Sequence, residues 1–284
     1  MASTDDQGVD RGFFGPDSMT WRINQELTVL FGGVRALLMH AAHPLVAAGA
    51  RQTATYRRDP WARLLRTLSL QLLLPFGTRV EATEAAGRLN RLHKVINGTD
   101  EVTGEYYDAL DPDLLLWVHA CLEQSSVLLY ELTVGPLTDA EKGRFHQENL
   151  KAAELVLLDR DRVPATYTDL EAYIDGVVAS DRLLLTDVAT ELADLVRGGP
   201  VPLHLKPIWR FIAFAAVGTL PPRVRDLYGY RWGRVRGVLL WASLGFLRLV
   251  RPILPARIRL VLPARVALKR LNGEDVPMPR PTTR

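Results

Sequence analysis

The stretch that decides the fold is residues 63–99, which reads RLLRTLSLQLLLPFGTRVEATEAAGRLNRLHKVINGT. Its first part predicts a leucine-rich helix that ends near Leu74, because Pro75 follows and proline disrupts a helix interior. A second helix is predicted to end at Asn97-Gly98, since glycine is common just after a helix C-terminus. Similar helical patterns along the rest of the chain predict an all-α protein.

Three side chains in this stretch are candidates for a binding site. Arg63 and Thr67 are four residues apart, so on a helix they share one face and could donate hydrogen bonds into a buried pocket. His93, on the next helix, could supply an imidazole from the opposite wall. A neutral imidazole, polar donors across from it and apolar walls would suit haem. Helical spacing alone also allows a plain alternative, in which Thr67 bonds to its own helix and His93 lies at the surface.

An ordered set of short motifs resembles a known family. The set comprises Arg-x-x-x-Thr at 63–67, Phe-Gly-Thr at 76–78 and Leu-Leu-Leu-Trp-Val-His-Ala at 114–120. It resembles the oxygenase catalytic domain shared by latex-clearing proteins and MpaB-type oxygenases, and it is most like the uncharacterised bacterial branch of that family. The resemblance runs from about Trp21 to about Tyr173, with further similarity at 220–222 and 227–229.

The resemblance implies a single large helical domain enclosing a non-covalent haem b. It makes His93 the proximal iron ligand, and hence the metal ligand, and it places Arg63 and Thr67 as catalytic residues on the distal side. Arg66 stands where characterised rubber oxygenases have a lysine. The implied function is a haem-dependent oxygenase-like activity that uses O₂ on a lipophilic small molecule.

One departure from the rubber oxygenases concerns a distal glutamate, proposed there as the catalytic base. The corresponding region here, residues 43–49, holds no carboxylate. It begins with His43, which the resemblance places beside the haem, and we expect His119 to approach the same cofactor. The resemblance therefore supports haem binding by this chain more strongly than it supports cleavage of polyisoprene. The alternatives are a haem-binding sensor or carrier without turnover, and a cofactor-free helical protein that binds a membrane surface or a partner.

The size of the chain allows one large helical domain or two small ones, and its apolar content suits a globular protein with a buried core. The chain has 284 residues, of which 48% are hydrophobic, and one cysteine, Cys121. There is no Cys-x-x-Cys-His, which excludes covalent c-type attachment of haem. We expect a flexible arm over 1–18, a helical domain over 19–272 and a disordered tail over 273–284. A polar, acidic start without an apolar run predicts a cytoplasmic protein.

The charge is unevenly distributed. The net charge is +3, yet ten basic residues and no acidic ones lie between Asp226 and Glu274. The segment 230–271 interleaves these charges with apolar residues at helical spacing. It could lie on an anionic membrane surface. We favour the other interpretation, in which it packs on the domain and its arginines pair with acidic residues.

No helix-turn-helix or zinc signature accompanies the charge, so nucleic acid is not an expected partner. The oligomeric state stays open.

Four smaller expectations concern local structure and metal chemistry. No alternating run of residues predicts a strand. The helix that starts near Trp21 is predicted to end at Gly32-Gly33, and His146 is expected in solvent. No Glu-x-x-His occurs, which argues against a di-iron carboxylate site.

Overall fold

The computed structural model describes residues 10–53, 55–199, 201–274 and 276–279. The predicted arm and tail therefore fall partly outside the described residues, at 1–9, 275 and 280–284. The described chain is predominantly helical, which confirms the all-α class, and it carries one two-stranded antiparallel hairpin. The helices are α1 Met19–Asn24, α2 Leu30–Ala41, α3 Pro44–Thr53, α4 Thr55–Arg58, α5 Pro60–Phe76, α6 Arg79–His93, α7 Pro112–Thr133, α8 Asp139–Leu155, α9 Tyr167–Ala179, α10 Asp187–Gly198, α11 Lys206–Gly218, α12 Pro222–Leu227, α13 Arg234–Val250, α14 Ala256–Arg259 and α15 Leu262–Leu271. The strands are β1 Asn97–Thr99 and β2 Tyr106–Asp108.

Most helix starts follow from local capping chemistry. Asp-Pro pairs open α5 and α7, because the carboxylates of Asp59 and Asp111 accept hydrogen bonds from the first-turn amides. Thr78 and Thr138 each form a reciprocal capping box with a glutamate three residues later, at the starts of α6 and α8. These signals were readable in the sequence because each needs only neighbouring residues.

The predicted helix end at Gly32-Gly33 is wrong. Helix α2 runs through both glycines. Gly32 lies against α7, where a Cβ at this position would come within 2.9 Å of the backbone carbonyl oxygen of Ser125. The glycine permits this close approach of two helices. The chain instead breaks earlier, after Asn24, with a 3₁₀ turn at Leu27–Val29.

The expectation of no strand is also wrong. Residues of β1 and β2 pair in antiparallel register, with Gly98 opposite Tyr107. Asp100 closes the connection by accepting hydrogen bonds from the backbone amide and hydroxyl of Thr103. Strands of three residues are too short to show the alternation from which a strand is predicted.

Threonine caps set the starts of two further helices. Thr166 caps α9, which begins at Tyr167, and Thr186 caps α10, which begins at Asp187. Ser, Thr and Asp are good caps at several neighbouring positions, so tertiary packing selects among them.

The core is built around α2 and α7. These two helices make the most extensive contact in the described chain, α10 and α11 pack against α2, and α9 and α13 pack against α7. Arg35 of α2 is buried and donates to the carbonyl of Thr219, the hydroxyl of Ser125 and the amide oxygen of Gln124. Burial lowers the pKa of the Arg35 guanidinium to about 10, so it stays charged at neutral pH.

A smaller cluster joins the two ends of the chain. Trp21 of α1 packs edge-on against Phe76 of α5, with the ring centroids 5.0 Å apart. Val261 and the inner face of α15 cover this pair, and Met278 is buried with them. The described part of the predicted tail therefore contributes a side chain to the core.

In the described residues, no single helix is long and apolar enough to span a bilayer, although α2 with its preceding turn and α3, bent by 103°, together satisfy the length and composition.

Candidate functional site

The helix pair α5–α6 positions the central candidates. The two helices pack together and are joined by the short connection at Gly77 and Thr78. Arg63 and His93 are about equally far from this connection along their helices. In such a hairpin they lie at the same end of the helix pair, which is the arrangement that a site with one residue on each wall requires.

His93 is the last residue of α6 and is half-buried. Its Nδ1 atom is buried and has no hydrogen-bond partner among the described residues. Burial lowers the pKa of His93, and the nearby carboxylate of Asp108 opposes this shift. The imidazole is consequently neutral at neutral pH, the state in which it can bind a metal.

Asn90 lies one turn before His93 on α6, at the spacing that places two side chains on one face. Its amide nitrogen donates to the carbonyl of Leu155, at 2.9 Å. Its Oδ1 is buried and, within the described ranges, unpartnered. Asn90 was not among the predicted site residues, because an asparagine on a helix carries no motif.

On α5, the three predicted side chains have different environments. Arg63 is half-buried, whereas Arg66 and Thr67 are exposed. The Thr67 hydroxyl donates to the carbonyl of Arg63, at 3.0 Å, which is the bond to its own helix considered as the plain alternative. The roles of Arg66 and Thr67 at a cofactor stay predictions.

His43 lies between α2 and α3 and is buried beside Trp117 of α7, with 6.5 Å between ring centroids. The Nδ1 of His43 and the Nε1 of Trp117 are both buried and lack a hydrogen-bond partner in the described structure. Burial, with a smaller contribution from nearby Arg182, lowers the pKa of His43 to about 4. His43 is therefore a second neutral imidazole. His40, by contrast, is bonded through Nε2 to the carbonyl of Val118.

His119 belongs to a different cluster. It lies two residues after Trp117, so the two side chains project from different faces of α7. Its Nε2 lies 3.3 Å from the buried carboxylate of Glu123. The other oxygen of Glu123 bonds to Nδ1 of His146, at 2.8 Å. The structure brings His119 together with Glu123 and His146, not with His43.

The expectation that His146 is solvated is wrong. It is fully buried, and its Nε2 bonds to the carbonyl of Pro164 at 2.8 Å. The polar sequence neighbours of His146 occupy the outer face of α8, and they obscured the inward direction of this one side chain. Its signal was the presence of Glu123 on another helix, a pairing that sequence spacing does not reveal.

The residues present fit a haem-like group. Four buried polar atoms on candidate residues and their neighbours have no partner among the described residues: those of His43, His93, Asn90 and Trp117. A buried polar atom without a hydrogen bond costs about 1–3 kcal/mol, so an additional group that binds such atoms would relieve that cost. The leucines of α5 are only half-buried, which leaves apolar surface for a macrocycle to cover.

Comparison with known proteins now identifies the family. Residues 20–251 match the family described as "ER-bound oxygenase mpaB/B'/Rubber oxygenase, catalytic domain". The chain belongs to this family. The match covers α1 to α13, and so includes every element that carries a predicted site residue. Membership in the MpaB and rubber oxygenase family confirms the resemblance stated from the motifs.

Two curated relatives are similar over most of their length. They are "Uncharacterized protein Mb2261" of Mycobacterium bovis and "Uncharacterized protein Rv2237" of Mycobacterium tuberculosis. Each is 24% identical to this chain over 230 residues, which cover 78% of this chain and 88% of the relative. These relatives fit an uncharacterised bacterial branch of the family. No solved structure matches significantly.

Proposed function

We propose that this protein is a haem b-dependent oxygenase-like protein that acts on a lipophilic small molecule. The observation that carries the proposal is the neutral, half-buried imidazole of His93, whose Nδ1 is buried without a partner among the described residues of an oxygenase-family domain. The described residues contain no group of three or more His, Cys, Asp or Glu side chains arranged to hold a metal ion. Haem iron needs as few as one protein ligand.

Each candidate residue has a distinct role in this proposal. His93 would hold the iron, and haem, when bound, would supply the chemistry of O₂ activation. Arg63 carries a permanent positive charge and would stabilise negative charge that develops beside it. The hydroxyl of Thr67 can donate at the same face once it leaves the carbonyl of Arg63. His43 stays neutral and contributes a polar atom to an otherwise apolar wall.

The first experiment tests the ligand. Wild-type protein expressed with ample haem is expected to show a Soret band after gel filtration, and His93→Ala is expected to lose it. His204→Ala is the matched control, because His204 is an exposed histidine on the turn before α11. A His93→Gly variant that regains the band with added imidazole would separate loss of the ligand from loss of the fold.

Two results would count against this assignment. A His93→Ala variant with a wild-type spectrum would place the iron ligand elsewhere. A folded wild-type protein that takes up no haem would favour a cofactor-free helical protein.

A haem-binding protein without turnover is the second candidate. Two observations favour it: residues 43–49 hold no carboxylate, and the Thr67 hydroxyl is engaged with its own helix. The deciding measurement is O₂ consumption with isoprenoid and fatty-chain compounds. For an oxygenase, Arg63→Ala should keep its haem and lose about a hundredfold in rate, the usual effect of removing one stabilising donor. A haem-loaded wild type that consumes O₂ with none of these compounds would support a sensor or carrier.

A further inference from the structure

Helix α13 presents an apolar stripe to solvent. Its inner face is anchored by Leu240 and Leu244, which are buried against α11 and α7. Its outer face is apolar as well, at spacings of three and four residues that keep the side chains on one side of a helix. We call this outer face the α13 stripe, and it consists of Val235, Val238, Leu239, Ala242, Phe246 and Leu249.

The α13 stripe is strongly exposed. The exposed fraction is 75% for Val235, 63% for Phe246 and 74% for Leu249. Beyond the helix, Ile253 and Ile258 continue the apolar surface, exposed by 82% and 51%. Isolated exposed apolar residues are ordinary, but a contiguous patch of large side chains marks an interaction surface.

Arginines and a tryptophan flank the α13 stripe. Arg234, Trp241 and Arg248 are seven residues apart, so they line one edge of the helix, and all three are exposed. In the described part of the chain, five exposed arginines of this segment take part in no ion pair with a carboxylate: Arg231, Arg234, Arg236, Arg248 and Arg257. Three half-buried arginines of the segment do pair: Arg251 and Arg259 with Glu26, and Arg270 with Glu81.

The paired and unpaired arginines serve different purposes. The pairs with Glu26 and Glu81 fasten the segment to the body of the protein. The other arginines surround exposed apolar residues in a stretch without a single acidic residue. Apolar side chains bordered by cations and an interfacial tryptophan match the headgroup region of an anionic bilayer. A protein partner would have to be both acidic and apolar over the same surface.

We propose that the α13 stripe docks the protein on an anionic membrane surface. Helix α13 lies in the interface with Val238, Phe246 and Leu249 in the acyl region, while Arg234 and Arg248 contact lipid phosphates. A shallow groove between α11 and α13 opens beside the stripe, and it is lined by Phe211, Leu239, Ala242, Ser243, Phe246 and Leu247. This surface is independent of the haem proposal, since none of its residues belongs to the candidate site.

Vesicle flotation of the full chain tests this docking. The protein is expected to float with phosphatidylcholine vesicles that contain phosphatidylglycerol, and to bind vesicles of phosphatidylcholine alone much more weakly. Val238→Ser/Leu249→Ser should weaken binding at least about tenfold, because two apolar side chains no longer enter the bilayer. The matched control is Val80→Ser/Val102→Ser, which changes two exposed valines elsewhere and should leave binding unchanged.

The charge contribution has its own control. Arg234→Gln/Arg248→Gln should weaken binding to the anionic vesicles by about fivefold per arginine, and added salt should reduce the wild-type affinity. Arg88→Gln/Arg160→Gln, at exposed arginines outside the segment, should have no effect. Brominated lipids should quench Trp241 fluorescence, and Trp241→Phe should remove that quenching.

Three results would overturn the proposal. The first is a wild-type protein that does not bind anionic vesicles. The second is equal binding by the Val238→Ser/Leu249→Ser variant and its valine control. The third is a wild-type protein that forms a dimer in solution, while the Val238→Ser/Leu249→Ser variant is a monomer. The last would assign the surface to a second copy of the chain.

Discussion

Glu123 is a buried carboxylate that contacts two histidines. Its carboxylate lies between His119 and His146, which approach from two helices, and it is almost completely buried. Burial alone would raise the pKa of Glu123, but the two imidazoles lower it below its ordinary value. Burial alone would lower the pKa of His146, and Glu123 raises it above its ordinary value. Each of these two groups therefore favours the charged form of the other.

We predict that Glu123→Gln destabilises the fold by about 3 kcal/mol, because it removes one partner of a buried ionic pair. The lowered pKa of Glu123 contributes stability above about pH 4.3 that is lost as pH falls through the folded pKa. The raised pKa of His146 contributes stability below about pH 6.5 that is lost as pH rises through the folded pKa. The loss caused by Glu123→Gln should consequently be largest between these values.

Urea unfolding at pH 5.5 and at pH 9 measures this difference. Glu154→Gln is the control, since Glu154 forms an exposed pair with Lys151 and should change the free energy of unfolding by less than about 1 kcal/mol. A Glu123→Gln variant as stable as this control would mean that the cluster is uncharged.

At the scale of the element, α2 illustrates what a sequence conceals. Two adjacent glycines are an ordinary helix end, yet α2 continues through them because α7 packs against one of the pair. Capping signals, by contrast, act within four residues, and Asp59, Thr78, Asp111 and Thr138 each cap the helix that follows them. Local chemistry was predictable, and contacts between distant elements were not.

The two glycines of α2 make a matched pair of variants. Gly32→Ala should destabilise the protein by about 1–3 kcal/mol, because the new methyl group would meet the backbone of Ser125. Gly33→Ala should stabilise it by about 0.5–1 kcal/mol, since alanine favours the helix and its methyl group meets nothing closer than the side chain of Gln71, at 3.8 Å. Thermal unfolding of both variants beside wild type checks the opposite signs, and equal shifts would contradict the close packing of α2 on α7.

At the scale of the whole molecule, the fold class and the family could be predicted from the sequence. Which of the candidate side chains lie close together could not. The motifs at 63–67 and 114–120 pointed to the family that the comparison then showed. The resemblance grouped His119 with His43, whereas His43 lies beside Trp117 of α7 and His119 lies beside Glu123 of the same helix. A motif gives the order of residues along the chain, while helix phase and tertiary packing decide which of them meet.

An ion pair between Glu81 of α6 and Arg270 of α15 joins the C-terminal helix to the rest of the molecule. The guanidinium bonds to both carboxylate oxygens, at 2.7 and 2.8 Å. Arg270, followed by the amide and hydroxyl of Thr78, outweighs partial burial and lowers the pKa of Glu81 to about 2. The pair thus holds the C-terminal helix over the Trp21–Phe76 cluster.

We predict that Glu81→Gln lowers the free energy of unfolding by about 1–2 kcal/mol at pH 7, a value reduced for the partial exposure of the pair. Glutamine can still complete the capping box with Thr78, so the change isolates the charge. A lowered carboxylate pKa contributes stability above its unfolded value, near 4.5, that disappears as pH falls towards about 2. The difference from wild type should therefore shrink to less than half at pH 3. Urea unfolding at pH 7 and pH 3 measures this difference in the free energy of unfolding. Glu84→Gln, at an exposed position on the same helix, is the control. A difference that does not depend on pH would show that packing alone holds α15 in place.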